Sequence, residues 1–200
     1  HIYFVRHGES EYNTSDTILH HDTDLTSKGI RQAESCAARC RNFSFDTIIS
    51  GPYARAQKTA EIINTDSHKE IHTSDLFTEY RYPVEVLGVK KTPALFVALI
   101  NGSERRFLGG EVFDDLKLRT AQALQFLELR PEGSLLVVSH AIFIYFLLTY
   151  MVFGETTSSR DFEKFFRAFL LGNTGITHCV FDKKPEGERW CIATWNDDAH

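Results

Sequence analysis

Arg6-His7-Gly8-Glu9-Ser10 follows directly on the apolar run Ile2-Tyr3-Phe4-Val5. A buried strand that ends in a cation, an imidazole and a glycine delivers a nucleophile and an anion clamp to a sheet edge. Two further segments repeat the pattern. Phe45–Ile49 leads to Ser50 and then Arg55, and Ser134–Val138 leads to Ser139 and His140. In open α/β sheets ligands bind beyond the carboxyl ends of the strands, so these residues can meet in one pocket. The ligand they suit is phosphate. A phosphomonoester is close to a dianion, and two arginines can grip its oxygens with planar forks. Imidazole, with an unperturbed pKa near ~6.5, is a good nucleophile at neutral pH once one tautomer is fixed. A second imidazole can hydrogen-bond the phosphoryl group. A carboxylic acid must protonate the departing oxygen and later activate water.

The elements that position these groups alternate. A helix opens at Thr26, a suitable N-cap, and carries Ile30, Ala33, Ala37 and Cys40 at helical spacing. Gly51-Pro52 ends the second strand, and a helix runs from Ala54 to Ile63. Ile71–Thr73 reads as a short third strand. A helix from Glu111 to Leu129 ends before Pro131 and Gly133, and the apolar run Ala141–Phe153 reads as a buried helix too short to span a membrane. The stretch Asp161–Leu170 places Phe162, Phe165, Phe166 and Phe169 at core or lid spacing. Ile176–Phe181 and Trp190–Trp195 flank a polar turn and read as a hairpin. The expected fold is a three-layer α/β/α domain over residues 1–200. Its sheet is mostly parallel, with helices on both faces and an antiparallel edge strand near the C-terminus. Residues 80–109, broken by Pro83, Gly88, Pro93 and Gly102, read as an insertion over the site, with Ala94–Ile100 a short helix.

Composition narrows the partners. A net charge of −5 over 200 residues argues against nonspecific nucleic-acid binding but not against a small anion, because clustered arginines dominate at short range. The four cysteines (36, 40, 179 and 191) form no CxxC pair and read as reduced thiols packed in the core of a cytoplasmic protein. His20-His21-Asp22 with Asp24 reads as a solvated loop rather than a metal site. Lys90-Lys91 and Arg105-Arg106 either meet an anionic substrate tail or are solvated charge.

The ordered motifs resemble those of the histidine phosphatase superfamily, also called the phosphoglycerate mutase-like family. The resemblance is carried by Arg6-His7-Gly8-Glu9-Ser10 with Asn13, by Leu25-Thr26, Gly29 and Gln32-Ala33, and by Arg55-Ala56 with Thr59-Ala60. It continues through Gly109-Gly110-Glu111, Val138-Ser139-His140 and Asn173 to Thr177. It implies that His7 is phosphorylated during turnover and that Arg6, Arg55 and His140 line the phosphate pocket. It further implies that Asn13 helps to hold the transferred group and that Glu79 is the proton donor. Ala141 stands beside the phosphate, where the family usually has Gly. Neither metal nor cofactor is expected. Gly51-Pro52-Tyr53 and Tyr80-Arg81-Tyr82-Pro83 also depart from the family pattern, and the latter bears on the substrate pocket. Tyr80, Tyr82, Phe96 and Phe107 are candidates for an aromatic wall there. The expected activity is hydrolysis of a small phosphorylated metabolite through phosphohistidine. The alternatives are a mutase that returns the phosphoryl group to another hydroxyl, a phosphohistidine protein phosphatase, and a non-catalytic binding domain.

Overall fold

A computed structural model describes residues 1–101, 110–184 and 187–200. Six strands form one sheet in the order β3-β2-β4-β1-β5-β6. They are β1 (Ile2–Arg6), β2 (Thr47–Ser50), β3 (Ile71–Thr73), β4 (Leu135–Ser139), β5 (Ile176–Lys184) and β6 (Gly187–Asp197). β1, β2, β3 and β4 run parallel, and β5 is antiparallel to β1. β6 pairs antiparallel with β5 and lies outside it, so the antiparallel strand is next to the edge and the second arm of the hairpin is the edge itself. β2 and β4 are buried along their whole length, as expected of parallel strands covered on both faces.

The helices follow from their patterns. α1 (Glu11–Thr14) is a single turn after the first strand. α2 (Ser27–Cys40) is capped by the Thr26 hydroxyl, which accepts from the Gly29 amide at 3.1 Å. α3 (Ala54–Asn64) packs against α2, and Cys36, Cys40, Ala56, Ala60 and Ile63 form one core with Val5, Ile48 and Val138. The paired cysteines therefore serve as packing, with sulfurs 3.9 Å apart. The opposite face carries a larger core built on α5 (Phe113–Glu128), α6 (Ala141–Phe153) and α7 (Ser159–Ala168). In α6 every residue from Phe143 to Tyr150 is buried, which makes it a central helix apolar all round. α7 begins two residues before the sequence pattern indicates, because Ser158 and Asp161 cap it reciprocally.

α5 begins at Phe113 and not at Glu111. Asp115 accepts from the Val112 amide to start the helix, while Glu111 is engaged elsewhere, as described below. In the 80–109 stretch, Val84–Val86 makes a turn of 3-10 helix and α4 spans Pro93–Asn101. Gly102, Arg105-Arg106, Phe107 and Gly109 lie outside the described residues. No helix among the described residues is long and apolar enough to cross a membrane.

Candidate active site

β1 and β4 lie side by side, so Arg6 pairs with Ser139 and the next residue of each strand, His7 and His140, leaves the sheet at the same edge. The two imidazole centroids are 5.1 Å apart. β2 flanks β4 on the other side and hands the chain through Gly51-Pro52 to α3, whose first turn carries Arg55. Gly51 is required there. A Cβ on it would sit 2.6 Å from the Phe77 carbonyl and 3.0 Å from His140 Nε2. Gly8 is required for a similar reason, since a Cβ would meet the Gly29 carbonyl at 2.4 Å. That close approach locks the loop after β1 onto the start of α2.

His7 is held on both sides. Its Nδ1–H donates to the Gly8 carbonyl at 2.6 Å, which leaves Nε2 as the lone-pair nitrogen, and Nε2 accepts from Arg55 Nε at 3.2 Å. Burial, with help from Arg55 and Arg6, holds His7 well below the ordinary imidazole range. The ring is therefore neutral and aimed, as a nucleophile must be. His140 is fully buried, and burial next to Arg55 and His7 lowers it in the same way. Neither of its ring nitrogens has a partner among the described residues, and Arg6 Nε is likewise buried and unpaired. Arg6 Nη1 donates to the Leu171 carbonyl at 2.6 Å. Unpaired buried polar groups are costly, and an unpaired imidazole beside His7 and close to two buried arginines is suited to an anion. Arg55 is 1% exposed, donates to the His21 carbonyl, and stacks its guanidinium over Tyr12 and Tyr53.

Glu79 arrives from the other side of the pocket. Its carboxylate accepts from the amides of Tyr80 at 2.9 Å, Phe143 at 3.0 Å and Ile142 at 3.3 Å. The last two are open amides of the first turn of α6, which starts directly after His140. Burial raises its pKa, and those amides together with Arg55 pull it back down. A carboxyl so balanced can hold a proton and give it up, which is the requirement for general acid–base work.

The segment bearing Glu79 is itself pinned. Arg119 on α5 makes a buried two-point ion pair with Glu111, at 2.7 and 2.8 Å. It also donates to the carbonyls of Leu76 and Thr78, at 3.0 and 2.7 Å. Glu111 in turn accepts from the Arg81 amide at 3.0 Å, and its backbone carbonyl accepts from Tyr80 Oη at 2.9 Å. Glu79 is thus bracketed on both sides by a network anchored on α5.

Of the residues singled out from the sequence, Arg6, His7, Arg55, Glu79 and His140 converge. Asn13 lies at the rim, where its Oδ1 accepts from the Ser10 amide at 3.0 Å and from Asn173 Nδ2 at 3.3 Å. Ala141 is the first residue of α6. The loop His20-His21-Asp22 is half-buried in part rather than simply solvated. The His21 ring stacks on Tyr53 and Tyr82, and Asp22 accepts from the Ala54 amide at 3.0 Å. Asp24 pairs with Lys58 at 3.0 Å. Further residues at the site were not assigned from the sequence. Asn173 donates to the His7 carbonyl at 3.0 Å, and Thr59 Oγ1 accepts from the Gly8 amide at 3.1 Å. Thr59 stands one helical turn after Arg55, and Asn173 belongs to the last motif of the ordered series, so both had a signal. Glu111 belongs to the Gly109-Gly110-Glu111 motif but was read only as a helix start, and Arg119 had no signal beyond its place in a helix pattern. Lys91 donates to the carbonyls of Tyr12 and Ser15.

Known proteins are similar to this chain over nearly its whole length. A Proteus mirabilis protein named a probable phosphoglycerate mutase is 31% identical over 208 residues, covering 100% of this chain and 94% of that protein. The crystal structure of the α-ribazole phosphatase from Shigella flexneri superposes with a TM-score of 0.79 at 20% identity, over 98% of this chain and 96% of that one. A phosphoserine phosphatase from Entamoeba histolytica, solved with 3-phosphoglyceric acid, superposes with a TM-score of 0.75 at 25% identity and the same coverage. The profile of one family runs through residues 2–198, strand ends and carboxylate included. With that match the chain belongs to the histidine phosphatase superfamily, branch 1, whose members here include phosphatases and probable mutases.

Proposed function

We propose that the protein is a phosphomonoesterase that hydrolyses a small phosphorylated metabolite through a phosphohistidine formed on His7. The observation that carries this reading is the neutral, single-tautomer His7, whose Nε2 accepts from the buried Arg55 beside the unpaired ring of His140. Arg6, Arg55 and His140 hold the phosphoryl oxygens, with Asn13 and the amide end of α6 at Ala141 at the rim. His7 Nε2 attacks phosphorus and the ester P–O bond breaks. Glu79, protonated, gives its proton to the departing oxygen. Glu79 then takes a proton from water as that water attacks phosphorus. The P–N bond breaks, inorganic phosphate leaves, and His7 and Glu79 return to their starting states. No step calls on a metal or an organic cofactor, and the side-chain cations supply the charge. Arg55 must leave His7 Nε2 as the substrate arrives, exchanging a weak bond to a ring nitrogen for stronger ones to an anion.

The test is phosphate release from a generic alkyl phosphate by wild type and His7→Ala. Turnover that survives in the variant rules the mechanism out. A second reading, phosphoryl isomerisation, is favoured by the relative named as a probable mutase. Following 3-phosphoglycerate by phosphorus NMR separates the two. Hydrolysis yields free phosphate, whereas a mutase yields the 2-phospho isomer.

A further inference from the structure

Beside the phosphate site lies an apolar cleft of about 220 Å³. Its walls come from Tyr12, Ile18, Tyr82, Leu95, Phe96 and Phe166, with Ile142 at its inner end. It adjoins the reacting groups directly. The Ile142 amide donates to Glu79, the Tyr12 ring lies under the Arg55 guanidinium, and the Tyr82 ring stacks on His21, whose carbonyl holds Arg55. On the reading proposed above, the departing oxygen stands next to Glu79. Whatever that oxygen is attached to must then extend past Ile142 into this cleft.

We infer that the cleft is the leaving-group subsite and that it selects phosphate esters of alcohols bearing an uncharged aromatic ring. This rests on the phosphomonoesterase reading. Three features carry it. The first is chemistry: the described lining is mostly aliphatic and aromatic, with Thr92 and the tyrosine hydroxyls its neutral polar groups and Lys91 its one charged group. Lys91 is already engaged with the Tyr12 and Ser15 carbonyls and sits 3.8 Å over the Tyr12 ring. The second is size. An apolar cavity of roughly 150 Å³ takes benzene, so this one takes one ring or a fused pair. The third is charge. The described lining offers no carboxylate and holds Lys91, so an ammonium-bearing leaving group meets a cation and finds no partner. Tyr82 and Phe96, two of the aromatic candidates from the sequence, form its wall. Tyr80 lies behind them, packed edge-on against both.

The experiment compares primary alkyl esters, whose leaving groups differ little in acidity: ethyl phosphate, O-phosphoserine, benzyl phosphate and 1-naphthylmethyl phosphate. The value of kcat/KM is expected to rise from ethyl to naphthylmethyl by roughly 100-fold, with O-phosphoserine at or below ethyl. Leu95→Asn, which makes one wall polar, is expected to lower the naphthylmethyl-to-ethyl ratio about tenfold, and Leu95→Ala serves if that variant does not fold. Equal turnover of ethyl phosphate or O-phosphoserine and the naphthylmethyl ester overturns the cleft assignment and leaves the His7 mechanism standing. Hydrolysis of none of them defeats the phosphomonoesterase reading instead. Saturation-transfer NMR with 1-naphthalenemethanol then decides the cleft. Binding that Leu95→Asn weakens supports the assignment, and no binding overturns it.

Discussion

The two halves of the candidate site are built by different rules. The phosphate half hangs on strand ends and helix starts, and its groups are over-determined. His7 has a partner on each ring nitrogen, and Gly8 and Gly51 sit where only glycine fits. The cleft half is assembled from a helical turn, a loop and parts of α4, α6 and α7, and it is held by apolar contact. Charge on phosphorus dictates residue type and position almost uniquely, because a misplaced donor is a buried cost. An apolar wall can be made from many side chains of suitable volume. The proposed mechanism therefore places the chemistry in the over-determined half and the choice of substrate in the half held by apolar contact.

That contrast can be broken at several points. His7→Ala removes the nucleophile and is expected to lower kcat for every ester alike, by about 10⁴-fold or more. An unequal loss across esters would show that the halves are not separate. Arg119→Ala leaves Glu111 buried without its cation. It is expected to cost about 3–5 kcal/mol of stability by denaturant unfolding, far more than an exposed pair such as Lys58–Asp24. A loss under 1 kcal/mol would mean that the segment around Glu79 is held by other contacts.

Glu79→Gln keeps the shape and removes the proton. A fall in kcat of roughly 10²-fold is expected for alkyl esters and a much smaller one for nitrophenyl phosphate, whose leaving group needs no acid. Equal losses for both would deny Glu79 the role of proton donor. The smallest effect concerns pH. His7 and His140 are both held below their ordinary value in the folded chain. As pH falls through about 6.5, the unfolded chain binds protons that the folded chain refuses, so stability drops. Glu79 is raised, so between its ordinary and its folded value the folded chain binds more protons. Its contribution falls as pH rises through that window, the opposite sign. Two histidines outweigh one carboxyl, and Tm is expected to fall by roughly 3–6 °C between pH 7 and pH 5. His140→Gln should flatten that slope, and an unchanged slope would relieve His140 of it.

The same contrast explains what the sequence made legible. Arg6, Arg55 and His140 could be found because each directly follows a readable strand or opens a readable helix. Glu79 needed the family resemblance, since nothing local distinguishes it from Asp75 or Glu85. Glu111 was readable as a motif and misread as a helix start. Its pairing with Arg119 forms only when α5 packs beside residues 76–81, and no local pattern announces that. Tyr12 and Lys91 meet across 79 positions of chain. The cleft they help to line is a product of packing alone, so Tyr82 and Phe96 could be named as aromatic but not placed.

One helix end has a consequence for how the site ages under mutation and thermal motion. His140 stands at the N-cap position of α6, and the first amides of α6 grip Glu79. α6 is buried from Phe143 to Tyr150, so its first turn is held in place by the core. A shift of that turn bears on the His140 imidazole and on the Glu79 carboxyl together. Errors in their two positions are correlated, so the spacing between them survives disturbances that would shift either one alone. The site behaves like a gauge cut from one piece of metal, and substitutions at the surface can accumulate around it without spoiling the measurement.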